Sequence, residues 1–457
     1  MLTDLHSALF QLRHGQRTAQ QWMEHCLEQA QSRACAQAFS HLLPDAARTQ
    51  AAATPSHMPL GGLAVSVKDL FDVQGLPTRA SARVLAQAQP ALHDSPAVAR
   101  LRAAGAAFIG KTHMVEFAFS GVGTNPHYGT PAAWDGRFGA LTGEPRVPGG
   151  SSSGAAVSVA TGAAFAALGS DTGGSLRIPA ALCGIVGFKA TARLVPTAGT
   201  IPLSTTLDTA GALTRSVRDA LLLHEILAQR RVTRSTAPLS AWRLAVPHSV
   251  MLDGLEPHVA QVFQRTLHAL RQAGARIDEI ALPQLHEVAR INASGGFSAA
   301  ESYAWHRARL AQPEQAALYD PRVRQRIERG ASMSAADYID LLHARQDWIT
   351  RMQQALQGFD ALLSPTVPIT APTLASVAPA TGEDMAADAA RDQAFQQANS
   401  LLLRNTSIVN LLDGCALSLP CHQAGELPVG LMLWHAAEHD DALLNVAQQV
   451  AQTLQFQ

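Results

Sequence analysis

Lysine is nearly absent from this chain. Lys68, Lys111 and Lys189 stand against 32 arginines, and all three lie between residues 68 and 189. Arginine keeps its charge in proteins, whereas a buried lysine can lose its proton, so each retained lysine is a candidate for chemistry. Excess charge of one sign is missing too: 35 basic residues face 36 acidic ones, for a net charge of −1. No electrostatic drive towards nucleic acid or an anionic membrane follows from such a balance. The five cysteines, Cys26, Cys35, Cys183, Cys415 and Cys421, are odd in number, scattered and free of any CxxC. That argues against a disulfide framework or a zinc knuckle and fits a reducing, cytoplasmic compartment. Long apolar runs are lacking. The most apolar long stretch, residues 154–169, is about 16 residues of mostly small side chains, too short to span a bilayer. Asp4 near the start does not suit a signal peptide.

What the chain does have is core material: 47% of its 457 residues are hydrophobic, ample for a large domain. Residues 2–32 show the helical spacing Leu5, Leu9, Leu12, Trp22, Leu27. Leu63, Val65 and Val67 alternate through a short strand that ends at Lys68. Residues 95–106 read as a helix and 107–110 as a strand, a β-α-β rhythm. Residues 121–153, rich in Gly, Pro, Asn and Ser, read as loop, followed by a small-residue helix over 154–164, a strand over 165–168 and a turn over 169–175. Further strands are expected at 244–246, 359–363, 415–419 and 428–434, and helices at 257–274, 300–357 and 440–454. The Ala- and Asp-rich stretch 373–392 is the expected mobile loop. No internal repeat or linker divides the chain, which points to one domain over residues 1–457.

Two serine–glycine clusters carry the chemistry. One is Gly149-Gly150-Ser151-Ser152-Ser153-Gly154; the other is Asp171-Thr172-Gly173-Gly174-Ser175, with Ser151 and Ser175 24 residues apart. Glycines beside serines form flexible turns, and consecutive glycines also let backbone N–H groups converge on an oxyanion. Neither cluster holds a lysine, so neither is a Walker phosphate loop. Ser175 follows the Gly pair and needs a base to be a nucleophile. Lys68, after an apolar run, can be that base if burial lowers its pKa; a salt bridge to Asp69 or Asp72 is the equal alternative.

These residues resemble the amidase signature hydrolases. The run 149–191, GGSSSGAAVSVATGAAFAALGSDTGGSLRIPAALCGIVGFKAT, is similar to that family's signature nearly throughout, and residues 59–78, PLGGLAVSVKDLFDVQGLPT, look like its lysine motif. The stretches 110–117, 125–130 and 207–217 also match, so the strong resemblance covers residues 59–220. It implies an α/β fold, a single-domain α/β/α sandwich around a large mixed β-sheet. It also implies a Ser–cis-Ser–Lys triad: Ser175 as nucleophile, Ser151 after a cis peptide as the bridge, and Lys68 as the base. Backbone N–H groups of Thr172, Gly173, Gly174 and Ser175 would form the oxyanion hole. The implied activity is hydrolysis of a small-molecule carboxylic amide to acid and ammonia or amine through an acyl-enzyme, with no metal or organic cofactor. Two alternatives share the triad: an amidotransferase A-type subunit serving aminoacyl-tRNA, and a carbamate, ester or urea-type hydrolase. Substrate identity and chirality stay open. A symmetric dimer is the commonest closed assembly.

Ser153, Ala155 and Ala190 depart from the family pattern, without touching the triad. Asn125, His127 and Ser152 are candidate substrate-binding residues, and region 290–400 is the candidate specificity region, with Phe297, Tyr303, Trp305 and Tyr338 as pocket-lining or core residues. Asp171 is expected to hold the glycine turn, His113 to be structural, and Cys183 to pack in the core. Residues 150–154 also spell G-x-S-x-G around Ser152, a nucleophile elbow, but no strand precedes them. His435 to His439 reads H-x-x-E-H, and is better read as a solvated helix cap than as a zinc site, because a third ligand is wanting downstream.

Overall fold

The computed structural model describes residues 2–455. Its frame is one eleven-stranded sheet. In chain order the strands are β1 (Phe39–Leu42), β2 (Ala64–Lys68), β3 (Ala107–Thr112), β4 (Ala166–Asp171), β5 (Val186–Lys189), β6 (Thr209–Thr214), β7 (Arg243–Pro247), β8 (Arg276–Ile280), β9 (Ala361–Pro365), β10 (Cys415–Pro420) and β11 (Gly430–His435). Their spatial order is β1-β3-β2-β4-β6-β5-β10-β11-β9-β7-β8. Pairs β2–β3, β2–β4, β7–β8 and β7–β9 are parallel; the rest are antiparallel, so the sheet is mixed.

Alternate side chains of a strand point to opposite faces. In β10, Cys415, Leu417 and Leu419 pack with the helices Val217–Ala228, Pro257–Gln272 and Asp440–Gln455. Ala416 points the other way, towards the helices Ala335–Ala355 and Met385–Leu411. β11 repeats the division, with Leu431 and Leu433 on the first face and Met432 and Trp434 on the second. Helices cover both faces, which is the expected α/β/α sandwich. Strands buried on both faces can be apolar throughout, and every residue of β2, β3 and β4 is buried.

Three readings of the sequence change. β4 runs on to Asp171, into residues expected to form the turn, because Asp171 pairs with Thr209 of β6. The stretch expected to be a mobile loop folds in its second half into the helix Met385–Leu411. Alanine is the best helix former, and the Asp384 carboxylate caps the first turn by accepting the Ala386 and Ala387 amides. The edge strand β1, the short β5 and β6, and the polar edge strand β8 have no counterpart in the sequence reading. Among the described residues no helix is long and apolar enough to cross a membrane.

Candidate active site

The site is built where β2 and β4 end side by side. These strands are parallel, with Val67 opposite Leu168, so the next residues, Lys68 and the Gly169-Ser170-Asp171 tail, emerge together at their carboxyl ends. Ligands gather at that edge in open α/β sheets. The first serine cluster arrives from the loop. Gly150 donates its amide to Gly121 O at 2.8 Å, and Ser151 O accepts the Val115 amide at 3.1 Å. The Gly150–Ser151 peptide is cis, as the family resemblance implied. The helix Ser153–Ala160 starts immediately afterwards. Its Gly154 is a contact requirement: a Cβ there would lie 2.1 Å from Ala38 O.

All three lysines are buried, at 0%, 2% and 0% exposure for Lys68, Lys111 and Lys189. Lys111 takes Asp69, at 3.1 Å. That removes Asp69 as a salt-bridge partner for Lys68, which instead donates to Ser151 Oγ and to Ser170 Oγ, each at 2.8 Å. Burial pushes the Lys68 ammonium down to about 7 against the pull of Asp171 and Asp208. At neutral pH a large fraction of Lys68 is therefore an uncharged amine beside a serine hydroxyl. Lys189 bonds to the carbonyls of Ala190 and Gly414 at 3.0 and 2.6 Å and lies in the core.

Ser175 sits in the turn between β4 and the helix Arg177–Leu182 and is 4% exposed. Its hydroxyl has no hydrogen-bond partner among the described residues. The Lys68–Ser151 half of the expected relay is thus made, and the Ser175 hydroxyl is left open. Asp171 holds the turn as expected. Its carboxylate accepts the Gly174 and Leu176 amides at 2.9 and 3.1 Å, two bonds from Arg177 at 2.9 and 3.0 Å, and Asn410 Nδ2 at 2.8 Å. Burial pushes Asp171 up, and the Arg177 guanidinium, with the Lys189 charge and the Asn410 bond, outweighs that and holds it at about 2. Gly174 takes φ +133°, and a Cβ there would lie 2.2 Å from Thr406 Oγ1.

One expected oxyanion donor changes role. The Gly174 N–H is already given to Asp171, so the amides of Thr172, Gly173 and Ser175 are the ones open to a developing oxyanion. The Asp171–Arg177 pair is wholly buried. Arg177→Met strands the Asp171 charge in the core, and a loss of about 3–5 kcal/mol in denaturant unfolding is expected.

The three candidate substrate contacts are spent internally. Asn125 Nδ2 donates to Ser81 O and Met114 O at 2.9 and 3.0 Å, and its Oδ1 accepts the His127 and Tyr128 amides at 2.9 and 3.2 Å. It is a loop staple. Ser152 is fully buried, with its hydroxyl on Ser170 O at 3.3 Å, which also rules out the exposed nucleophile of an elbow. His127 Nε2 faces buried Glu116 Oε1 at 3.1 Å. His113 Nδ1 meets Ser81 Oγ at 3.2 Å, a structural contact as expected, and Cys183 is fully buried. Ser153, Ala155 and Ala190, the departures from the family pattern, are buried packing positions. Of the H-x-x-E-H residues, His435 is buried rather than solvated, its Nε2 3.2 Å from Phe359 O and its ring centroid 3.6 Å from that of His439, with the two planes tilted by 30°.

Sequence reasoning missed three functional neighbours. Ser170, the second partner of Lys68, sits next to the read motif. Asp208 accepts the Thr172 hydroxyl at 2.5 Å, and Asn410 braces Asp171 from a helix with no local signal in sequence. Ser170, Thr172 and Asp208, with Phe71, Ala118 and Leu203, also line a small hollow.

Comparison with known proteins places the chain in a family. The family model described as Amidase matches residues 21–444. The chain is 37% identical over 395 residues to a 2-amino-5-chloromuconic acid deaminase of Comamonas testosteroni, covering 85% of this chain and 81% of that one. It is 32% identical over 426 residues to a glutamyl-tRNA(Gln) amidotransferase A-type subunit of Roseiflexus castenholzii, with coverage of 85% and 81%. A crystal structure described as an amidase superposes with a TM-score of 0.85 at 33% identity, over 99% of this chain and 100% of that one. A family match from residue 21 to residue 444 takes in most of the chain: the chain belongs to the amidases, hydrolases of carbon–nitrogen bonds.

Proposed function

We propose that the protein hydrolyses a small-molecule carboxylic amide through an acyl-enzyme on Ser175. The observation that carries this is the 2.8 Å contact between the buried Lys68 Nζ and Ser151 Oγ, made by a lysine with no carboxylate paired to it among the described residues. Neutral Lys68, with its lone pair turned to Ser151 Oγ, draws a proton from Ser151, which draws one from Ser175. Ser175 Oγ attacks the amide carbon, and the oxyanion settles on the amides of Thr172, Gly173 and Ser175. The relay then reverses and returns the proton to the leaving nitrogen, because an amide anion is a very poor leaving group. The C–N bond breaks, amine or ammonia departs, and water hydrolyses the ester to acid and free Ser175. None of these steps calls for a metal or an organic cofactor.

Region 290–400 is read as the part that shapes the substrate pocket, and the free, buried cysteines fit a cytoplasmic setting. The likeness to an amidotransferase A-type subunit favours one second reading, in which glutamine is the amide and a partner takes the ammonia. Hydroxylamine tests the shared step. With an amide from a screen that includes glutamine, it should intercept the acyl-enzyme and yield hydroxamate alongside ammonia or amine. Turnover without hydroxamate, and without acylated Ser175 on rapid quench, contradicts the proposal.

A further inference from the structure

The segment 203–208 is gripped by two carboxylates. On the side of the catalytic turn, Asp208 accepts the Leu203 and Ser204 amides at 3.0 and 3.1 Å and the Thr172 hydroxyl at 2.5 Å. On the other side stands Glu301, from the helix Gly296–Leu310. Its Oε2 accepts the Ser204 hydroxyl at 2.7 Å, the Thr206 amide at 3.0 Å and the Thr205 hydroxyl at 3.3 Å. Its Oε1 accepts the Thr206 hydroxyl and, at 2.6 Å, the Tyr338 hydroxyl from the helix Ala335–Ala355. No basic side chain pairs with Glu301 among the described residues. This carboxylate is therefore a hydrogen-bond clamp rather than half of a salt bridge. Burial pushes its pKa up, and the Ser204, Thr206 and Tyr338 donors outweigh that and keep it below the usual range. It is charged at neutral pH, where its bonds are strongest.

We propose that Glu301 is a positioning residue for acyl transfer: by clamping residues 204–206 it fixes Asp208, and through Asp208 it fixes Thr172 at the head of the oxyanion turn. This rests on the acyl-enzyme reading above. It makes a helix outside the signature core answerable for the aim of donors inside it. A donor misplaced by a fraction of an ångström loses transition-state stabilisation while ground-state binding is little changed.

The test compares wild type, Glu301→Ala, Glu301→Gln, Asp208→Asn and the Glu301→Ala/Asp208→Asn double variant on one amide substrate, with wild type also treated with a fluorophosphonate. Glu301→Ala should lower kcat by about tenfold to a hundredfold with KM within about twofold. Glu301→Gln, which keeps one acceptor oxygen, should recover part of the loss. The double variant should be no worse than the poorer single one, because both residues act through the same segment. Wild-type kcat in Glu301→Ala, a loss confined to KM, or losses that multiply in the double variant would overturn the proposal. Should Glu301→Ala fail to fold, Glu301→Gln decides alone by the same kcat-against-KM criterion. A wild type that takes no label on Ser175 would sink the acyl-enzyme reading and this inference with it. A wild type labelled on Ser175, beside a Glu301→Ala variant of equal kcat, would sink this inference only.

Discussion

Ser175→Ala should lower kcat by at least about 10⁴-fold and leave the fold intact, because it removes the attacking oxygen and little else. The Ser175 hydroxyl makes no hydrogen bond among the described residues, so its loss strands no donor or acceptor, and unfolding by denaturant should move by less than about 0.5 kcal/mol. Adding Lys68→Ala to Ser175→Ala should cost nothing further, since a base without its nucleophile has no work in the reaction. Full additivity of the two losses would show that Lys68 and Ser175 do not belong to one relay. Rates of purified single and double variants on one amide substrate provide the check.

Lys68 should set the acid limb of the pH profile. The relay needs the neutral amine, and burial brings that group down to about 7. kcat/KM should therefore rise about tenfold per pH unit below 7 and level off above it. The same group bears on stability. Its ordinary value is 10.5, so between about 7 and 10.5 the unfolded chain binds a proton that the folded chain does not. This group's contribution thus rises with pH across that window, and its burial penalty is fully present below about 7. Lys68→Arg is not a conservative change, because arginine does not deprotonate. It should abolish the acid limb along with most of the activity, a loss of at least about 10³-fold. A Lys68→Arg enzyme with wild-type turnover would mean that Lys68 is not the base.

The site was more legible than the sheet. Lys68, Ser151 and Ser175 each follow a local cue: the end of an alternating apolar strand, or a pair of glycines. Chemistry that needs turns writes itself into contiguous residues. The supports around it do not. Asn410 and Glu301 lie within helices, where a polar residue has no distinctive neighbours, and their targets are Asp171 and residues 204–206, far away in sequence. Ser170 went unread because β4 extends two residues past Gly169, and only its pairing with β6 decides that. β6 itself, TAGALT, has a glycine and two alanines at its centre, and is a strand because β4 and β5 flank it. β8, RIDEI, is polar because it is an edge. The Gly174 amide shows the opposite case. Its place in the motif suggested an oxyanion donor, and only the Asp171 carboxylate beneath the turn reveals that it is already bonded.

The central claim is a serine nucleophile at 175 driven by a neutral lysine at 68. Intact-mass labelling with a small fluorophosphonate, followed by peptide mapping, tests it most directly. One adduct is predicted, on Ser175, forming faster as pH rises through about 7 and absent in Lys68→Ala. An adduct on Ser152, or labelling of Ser175 at an undiminished rate in Lys68→Ala, would contradict the account.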